Sequence, residues 1–89
     1  MSELVDLRDQ IDALDSELIA LIGKRFGCVD QVIAVKRANR ISAVVPDRIE
    51  AVVAHVRELA QAHGIPSDTV EKLWRLLIAE TIAYEEKNL

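Results

Sequence analysis

From Leu4 onward, Leu4, Leu7, Ile11, Leu14, Leu18 and Leu21 recur at alternating spacings of three and four, and Ile22, Val29, Val32, Ile33 and Val35 prolong the pattern. This is the period of one face of an α-helix. Asp9, Asp12, Asp15 and Glu17, with Arg8, Gln10 and Lys24, cover much of the remaining surface, and no proline interrupts the run before Pro46. Gly23 and Gly27 are its weak points, each costing about 1 kcal/mol relative to alanine in a helix interior. The apolar phase survives across them, so the pattern predicts one continuous helix from about residue 3 to about residue 38. At ~1.5 Å per residue that helix would be roughly 50 Å long, more than a compact domain of this size can enclose. Its apolar stripe therefore calls for a partner.

The segment Asn39 to Val45 lacks helical phase. Pro46 followed by Asp47 is a helix start, because proline suits the first turn and an acid suits the positive end of the helix dipole. A second helix then runs to about His63 with Ile49, Val52, Val53, Val56, Leu59 and Ala60 on its apolar face. Gly64-Ile65-Pro66-Ser67 supplies a stop followed by a cap. A third helix begins at about Asp68, and Val70, Leu73, Trp74, Leu77, Ile78 and Ile82 form its stripe, which continues into Tyr84 and a polar tail. The fold class is all-α, long helix, loop, medium helix, tight turn, medium helix, in a single domain over residues 1–89.

Composition narrows the function. Of the 89 residues 51% are hydrophobic but only 3% are aromatic, which suits helix interfaces. A chain this short sits near the lower limit at which one core stabilises a monomer, a second reason to expect pairing. Cys28 is the only cysteine, so neither a disulfide framework nor a cysteine-based zinc site arises within one chain, and it reads as a small buried hydrophobe. His55 and His63 lie eight apart on helix two, too far for a two-histidine metal site. The net charge of −4 disfavours nucleic acid, so an anion must be held by a local cluster. The first residues lack a basic start followed by an apolar run, and no stretch reaches the roughly 20 apolar residues that span a bilayer. The expectation is a cytoplasmic protein with no membrane partner.

Continued by threes and fours from Leu21, the first stripe lands on Arg25, Cys28, Val29, Val32, Val35 and Lys36. Two cations thus fall on the buried side. Eleven residues bring Lys36 to within about 20° of Arg25 around the helix and about 16 Å along it, room for a small anion between them. Spacing alone leaves a second reading open, in which long basic side chains snorkel from the stripe or pair with carboxylates of another helix. On helix three, Thr81 and Glu85 extend the row of Leu77 and Ile78, which puts a hydroxyl and a carboxyl where the pattern predicts core; a frayed, solvated Glu85 is the alternative. Arg8 is 17 residues from Arg25, about 25 Å along a straight helix, so only an antiparallel partner could bring the two together.

The run Leu7-Arg8-Asp9-Gln10-Ile11-Asp12-Ala13-Leu14-Asp15, with Leu18 to Arg25 after it, resembles the start of the all-helical chorismate mutase family. The match continues through Lys36, through Pro46-Asp47-Arg48-Ile49 and through Leu73-Trp74-Arg75-Leu76-Leu77-Ile78, and so covers nearly the whole chain. The resemblance implies an intertwined homodimer with two equivalent sites, each using an arginine from the partner's first helix, where Arg8 matches. It implies that Arg25, Lys36 and Arg48 bind substrate, that Thr81 is a hydroxyl-bearing site position, and that Glu85 stands beside the substrate's ether oxygen. Lys36 and Glu85 are then the catalytic candidates, and no cofactor or metal is called for.

The residue types suit that chemistry. Chorismate carries two carboxylates and an enolpyruvyl ether, and its rearrangement needs only a compact conformation and stabilisation of charge growing on the ether oxygen. Guanidiniums clamp carboxylates bidentately. Lys36 and a protonated Glu85 could both donate to the ether oxygen, which implies an acidic pH optimum, because neighbouring cations favour the charged carboxylate.

One departure concerns the substrate. Where many mutases place a glutamate after the helix-two arginine, this chain has Ile49, as is seen in the isochorismate-pyruvate lyase branch of the same fold. Against the lyase reading, Glu85 replaces the glutamine of the best-known lyase, and the spacing from Lys36 to Arg48 is that of the mutases. An aminated chorismate analogue is a third substrate that no contact tests. A reading of another class is a non-catalytic helical dimer, which would tolerate Arg25→Ala and Lys36→Ala; a helix-turn-helix DNA binder fits neither the acidic balance nor the long first helix.

Overall fold

A computed structural model describes residues 2–89, which form three helices, α1 (Glu3–Asn39), α2 (Pro46–Ala62) and α3 (Ser67–Asn88). α1 starts where the Ser2 hydroxyl accepts the Val5 N–H at 3.2 Å, and Glu3 and Asp6 place negative charge in its first turn. It runs unbroken through Gly23 and Gly27, as the phase of its stripe requires. It ends at Arg40, which takes a left-handed backbone (φ 53°) so that the Ile41 N–H reaches back to the Lys36 carbonyl at 2.8 Å.

α2 begins with Pro46 in its first turn and closes in the same manner at Gly64 (φ 68°), where the Ile65 N–H donates to the Ala60 carbonyl at 2.9 Å. Ser67 was expected as the cap of α3, but Pro66 holds that position and Ser67 is the first helical residue, with no side-chain cap bond. The short turn folds α3 back on α2. Arg57 of α2 pairs with Asp68 and Glu71 of α3 at 2.9 and 2.8 Å, while Arg75 of α3 pairs with Glu71 at 2.7 Å and with Glu50 of α2 at 3.0 Å. The hydrogen bonds from Arg75, more than its charge, hold the pKa of Glu50 and of Glu71 below its ordinary value. Arg75 is raised in turn, first by its bond to Glu50.

The core is thin. Ile33, Ala43, Val53, Val56, Ala60 and Ile78 are its buried apolar residues, contributed by all three helices and the loop after α1. Leu59 and Leu73, counted to the apolar faces by phase, are exposed, because α2 and α3 face each other along narrower stripes than their patterns allow. α1 packs on α3 and makes no comparable contact with α2. Only its C-terminal half is engaged. Leu4, Leu7, Ile11, Leu14, Leu18 and Leu21 are each more than half exposed in the single chain, along a molecule 57 Å in its longest dimension. Cys28, expected to be buried, is exposed on this helix too, since the stripe that holds it meets α3 only in part.

Candidate active site

Where α1, the loop after it, α2 and α3 converge, they enclose a pocket of about 410 Å³. Its walls are apolar, formed by Val29 and Val32 of α1, Ile41, Ala43 and Val45 of the loop, Ile49 and Val52 of α2, and Ile78 and Ile82 of α3. Set into them are Arg25, Lys36, Arg48, Thr81 and Glu85. Three cations and one carboxylate in an apolar hollow are an arrangement that can hold an anionic organic molecule.

Each polar group has a definite place. Thr81 and Glu85, one turn apart on α3, are buried, at 7% and 6% exposure, which removes the frayed alternative for Glu85. The Thr81 hydroxyl donates to the Leu77 carbonyl at 2.7 Å, so its oxygen is left to accept from Arg25 Nη1 at 3.3 Å. Glu85 Oε1 accepts from Lys36 Nζ at 2.7 Å, the distance of a charge-assisted hydrogen bond, with the two side chains 8% and 14% exposed. Lys36 also donates to the Ala43 carbonyl at 3.0 Å. An ammonium has three N–H donors, so one remains for a ligand. Arg48 opens α2, is exposed, and makes no ion pair among the described residues.

The contact of α1 with α3 continues beyond the pocket. The Tyr84 ring stands edge-on to Phe26, with centroids 5.2 Å apart, and its hydroxyl donates to Asp30. That hydrogen bond, ahead of partial burial, raises the phenol above its ordinary value. Arg37 donates to the Asn88 carbonyl at the end of α3.

Of the residues singled out from the sequence, Arg25, Lys36, Arg48, Ile49, Thr81 and Glu85 therefore meet around one pocket. Arg8 does not. It lies in the exposed N-terminal half of α1, about 25 Å along the helix from Arg25. Sequence reasoning missed the Ala43 carbonyl that holds Lys36, because a loop backbone oxygen leaves no mark in residue type. It also missed the Tyr84–Asp30 contact, which joins positions 54 apart without any local pattern.

Comparison with known proteins gives the following. The family profile described as Chorismate mutase type II matches residues 7–86. The T-protein of Haemophilus influenzae is 38% identical over 98% of this chain, which covers 23% of that protein. The chain spans about a quarter of the length of the T-proteins it matches. The chorismate mutase of Methanocaldococcus jannaschii is 24% identical over the whole chain and 90% of that protein. The isochorismate pyruvate lyase of Pseudomonas aeruginosa is 29% identical over 94% of this chain and 82% of that protein.

Proposed function

The chain belongs to the chorismate mutase type II family, and from that premise we propose that residues 1–89 are one catalytic domain that rearranges chorismate to prephenate. The observation that carries this reading is the Lys36–Glu85 pair, held at 2.7 Å inside an otherwise apolar pocket beside two guanidiniums. A buried ion pair adds little net stability, because desolvating both charges offsets most of their attraction. Its place beside Arg25 and Arg48 is explained by what it does to a ligand.

In this reading Arg25 and Arg48 take the two carboxylates of chorismate and fold the enolpyruvyl arm over the ring, so that the carbon that bonds to the ring sits against it. Thr81 keeps Arg25 aimed inward through the 3.3 Å bond. The carbon–oxygen bond breaks as the carbon–carbon bond forms, in one pericyclic step with no covalent enzyme intermediate. Negative charge grows on the ether oxygen meanwhile. The free N–H of Lys36 donates to that oxygen, and Glu85 donates once it carries a proton, both in a water-poor pocket where aligned donors act strongly. An ionised Glu85 has no proton to give. Activity should therefore rise toward acid pH.

The pocket is completed by a second copy of the chain. The exposed stripe from Leu4 to Leu21 supports pairing along α1, and an antiparallel partner would bring its Arg8 to the pocket that Arg25 and Lys36 line. Ile49 supports a second reading: it lines the pocket where a carboxylate would hold a ring hydroxyl, which favours isochorismate, cleaved to salicylate and pyruvate. Incubating the purified chain with chorismate and with isochorismate, from about pH 5 to about pH 8, and measuring prephenate, salicylate and pyruvate decides between them. Prephenate from chorismate is the expected result; salicylate and pyruvate alone would replace the mutase by the lyase, and turnover of neither would remove the enzymatic reading.

A further inference from the structure

Glu85 and Lys36 belong to different parts of the fold, and something must set the distance between them. Glu85 rides on α3, which is fastened to α2 by Val53, Val56, Ala60 and Ile78 and by the ion pairs of Arg57 and Arg75. Lys36 rides on α1, which meets that hairpin along α3. Among the described residues, the side-chain hydrogen bonds that tie α1 to α3 are Arg25 to Thr81, Lys36 to Glu85, Arg37 to the Asn88 carbonyl, and Tyr84 to Asp30.

These ties are not equivalent. The first two are made by residues of the pocket, and a bound anion competes for both. The third sits in the last turn of α3, where helices fray. The tie made by Tyr84 lies inside the helix and outside the pocket lining. It is also the broadest, because Tyr84 touches α1 at Phe26 and at Asp30, four residues and so one helical turn apart. A residue gripped at two heights can neither slide along α1 nor turn about the α3 axis. Glu85 is the next residue, about 100° around the same helix, so fixing Tyr84 fixes the direction in which Glu85 points.

We propose that Tyr84, gripped between Phe26 and Asp30, is a positioning residue that sets the register and rotation of α3 against α1 so that Glu85 meets Lys36. It touches no substrate. The proposal rests on the reading of Lys36 and Glu85 as the working pair of the pocket, yet its geometry can be tested without turnover.

Tyr84→Phe keeps the ring against Phe26 and removes only the hydroxyl; Asp30→Ala removes the acceptor, and Asp30→Asn restores one. With the full chain labelled at its lysine nitrogens, proton exchange at the Lys36 ammonium reports how firmly Glu85 and Ala43 hold it. That exchange should quicken roughly three- to tenfold in Tyr84→Phe and in Asp30→Ala and stay near wild type in Asp30→Asn. With chorismate, kcat should fall by a similar roughly three- to tenfold while KM stays within about twofold. The double variant Tyr84→Phe with Asp30→Ala should be no worse than either single one, since all remove the same contact. Unchanged ammonium exchange in a Tyr84→Phe chain of full helicity overturns the proposal, as do additive losses in the double variant. Should Tyr84→Phe fail to fold, the exposed Asp30 variants decide by the same readouts. If wild type turns over neither substrate, the proposed activity fails, and the ammonium measurement still decides this one.

Discussion

Glu85 is the residue at which charge, burial and chemistry conflict most. It is buried and accepts from Lys36 Nζ at 2.7 Å, whereas as a donor to an ether oxygen it must carry a proton. Glutamine has nearly the same shape and always carries N–H donors. Glu85→Gln should therefore raise kcat near pH 7.5 by about tenfold and flatten the acid limb of the rate profile. Steady-state rates from about pH 5 to about pH 8 check this, and a variant no faster than wild type at the upper end with its acid limb intact would remove Glu85 as the donor. Lys36→Ala is a different change, since it leaves the Glu85 carboxylate buried without its cation and should destabilise the chain as well as inactivate it.

At the scale of the helices, the ends hold predictions of their own. Arg40 adopts φ 53° to close α1, a conformation that costs an L-residue about 1 kcal/mol and glycine almost nothing. Arg40→Gly should raise stability by about 0.5–1 kcal/mol in urea unfolding followed by circular dichroism, with the Ile41–Lys36 bond intact. The α2–α3 hairpin holds two carboxylates whose titration is linked to folding. Glu50 and Glu71 have folded values below the ordinary 4.5, first through their bonds to Arg75, so the folded chain binds their protons more weakly than the unfolded chain does. Their contribution is complete above about pH 4.5 and is lost as the pH falls through their lowered folded values. The thermal midpoint should drop in that range, less steeply in high salt, and less in Arg75→Met than in wild type. Tyr84 has the opposite sign: its folded value lies above the ordinary 10.0, so its contribution is present below that pH and lost as the pH rises through the folded value.

For the molecule as a whole, the exposed apolar half of α1 and the stranded Arg8 present one question. If the pocket takes Arg8 from a second copy, Arg8→Ala and Arg25→Ala should each abolish most activity, yet mixing the two after co-refolding should restore it. One pocket of each mixed dimer would hold an intact Arg8 beside an intact Arg25, and random pairing should return about a quarter of wild-type activity. A mixture no more active than its components would show that Arg8 serves no shared site. Sedimentation of the wild-type chain should give a dimer, because six exposed leucines and isoleucines in one row are poorly tolerated in water.

What the sequence determined by itself is what a periodic pattern can encode. The threes and fours of the apolar residues specified three helices, the uninterrupted phase carried α1 through Gly23 and Gly27, and polar residues in apolar phase marked Arg25, Lys36, Thr81 and Glu85. Those are local properties, since residues on one helix keep fixed angular relations whatever they pack against. Tertiary structure alone decided which of these residues meet. It turned α3 so that Glu85 reaches Lys36, laid the loop so that the Ala43 carbonyl takes a second Lys36 proton, and set Tyr84 against Phe26 and Asp30. It also left Leu59, Leu73 and Cys28 exposed, because a helix buries only the part of its stripe that another element covers. Contacts between positions about fifty residues apart depend on loop paths and packing angles, for which no single stretch of sequence carries the signal.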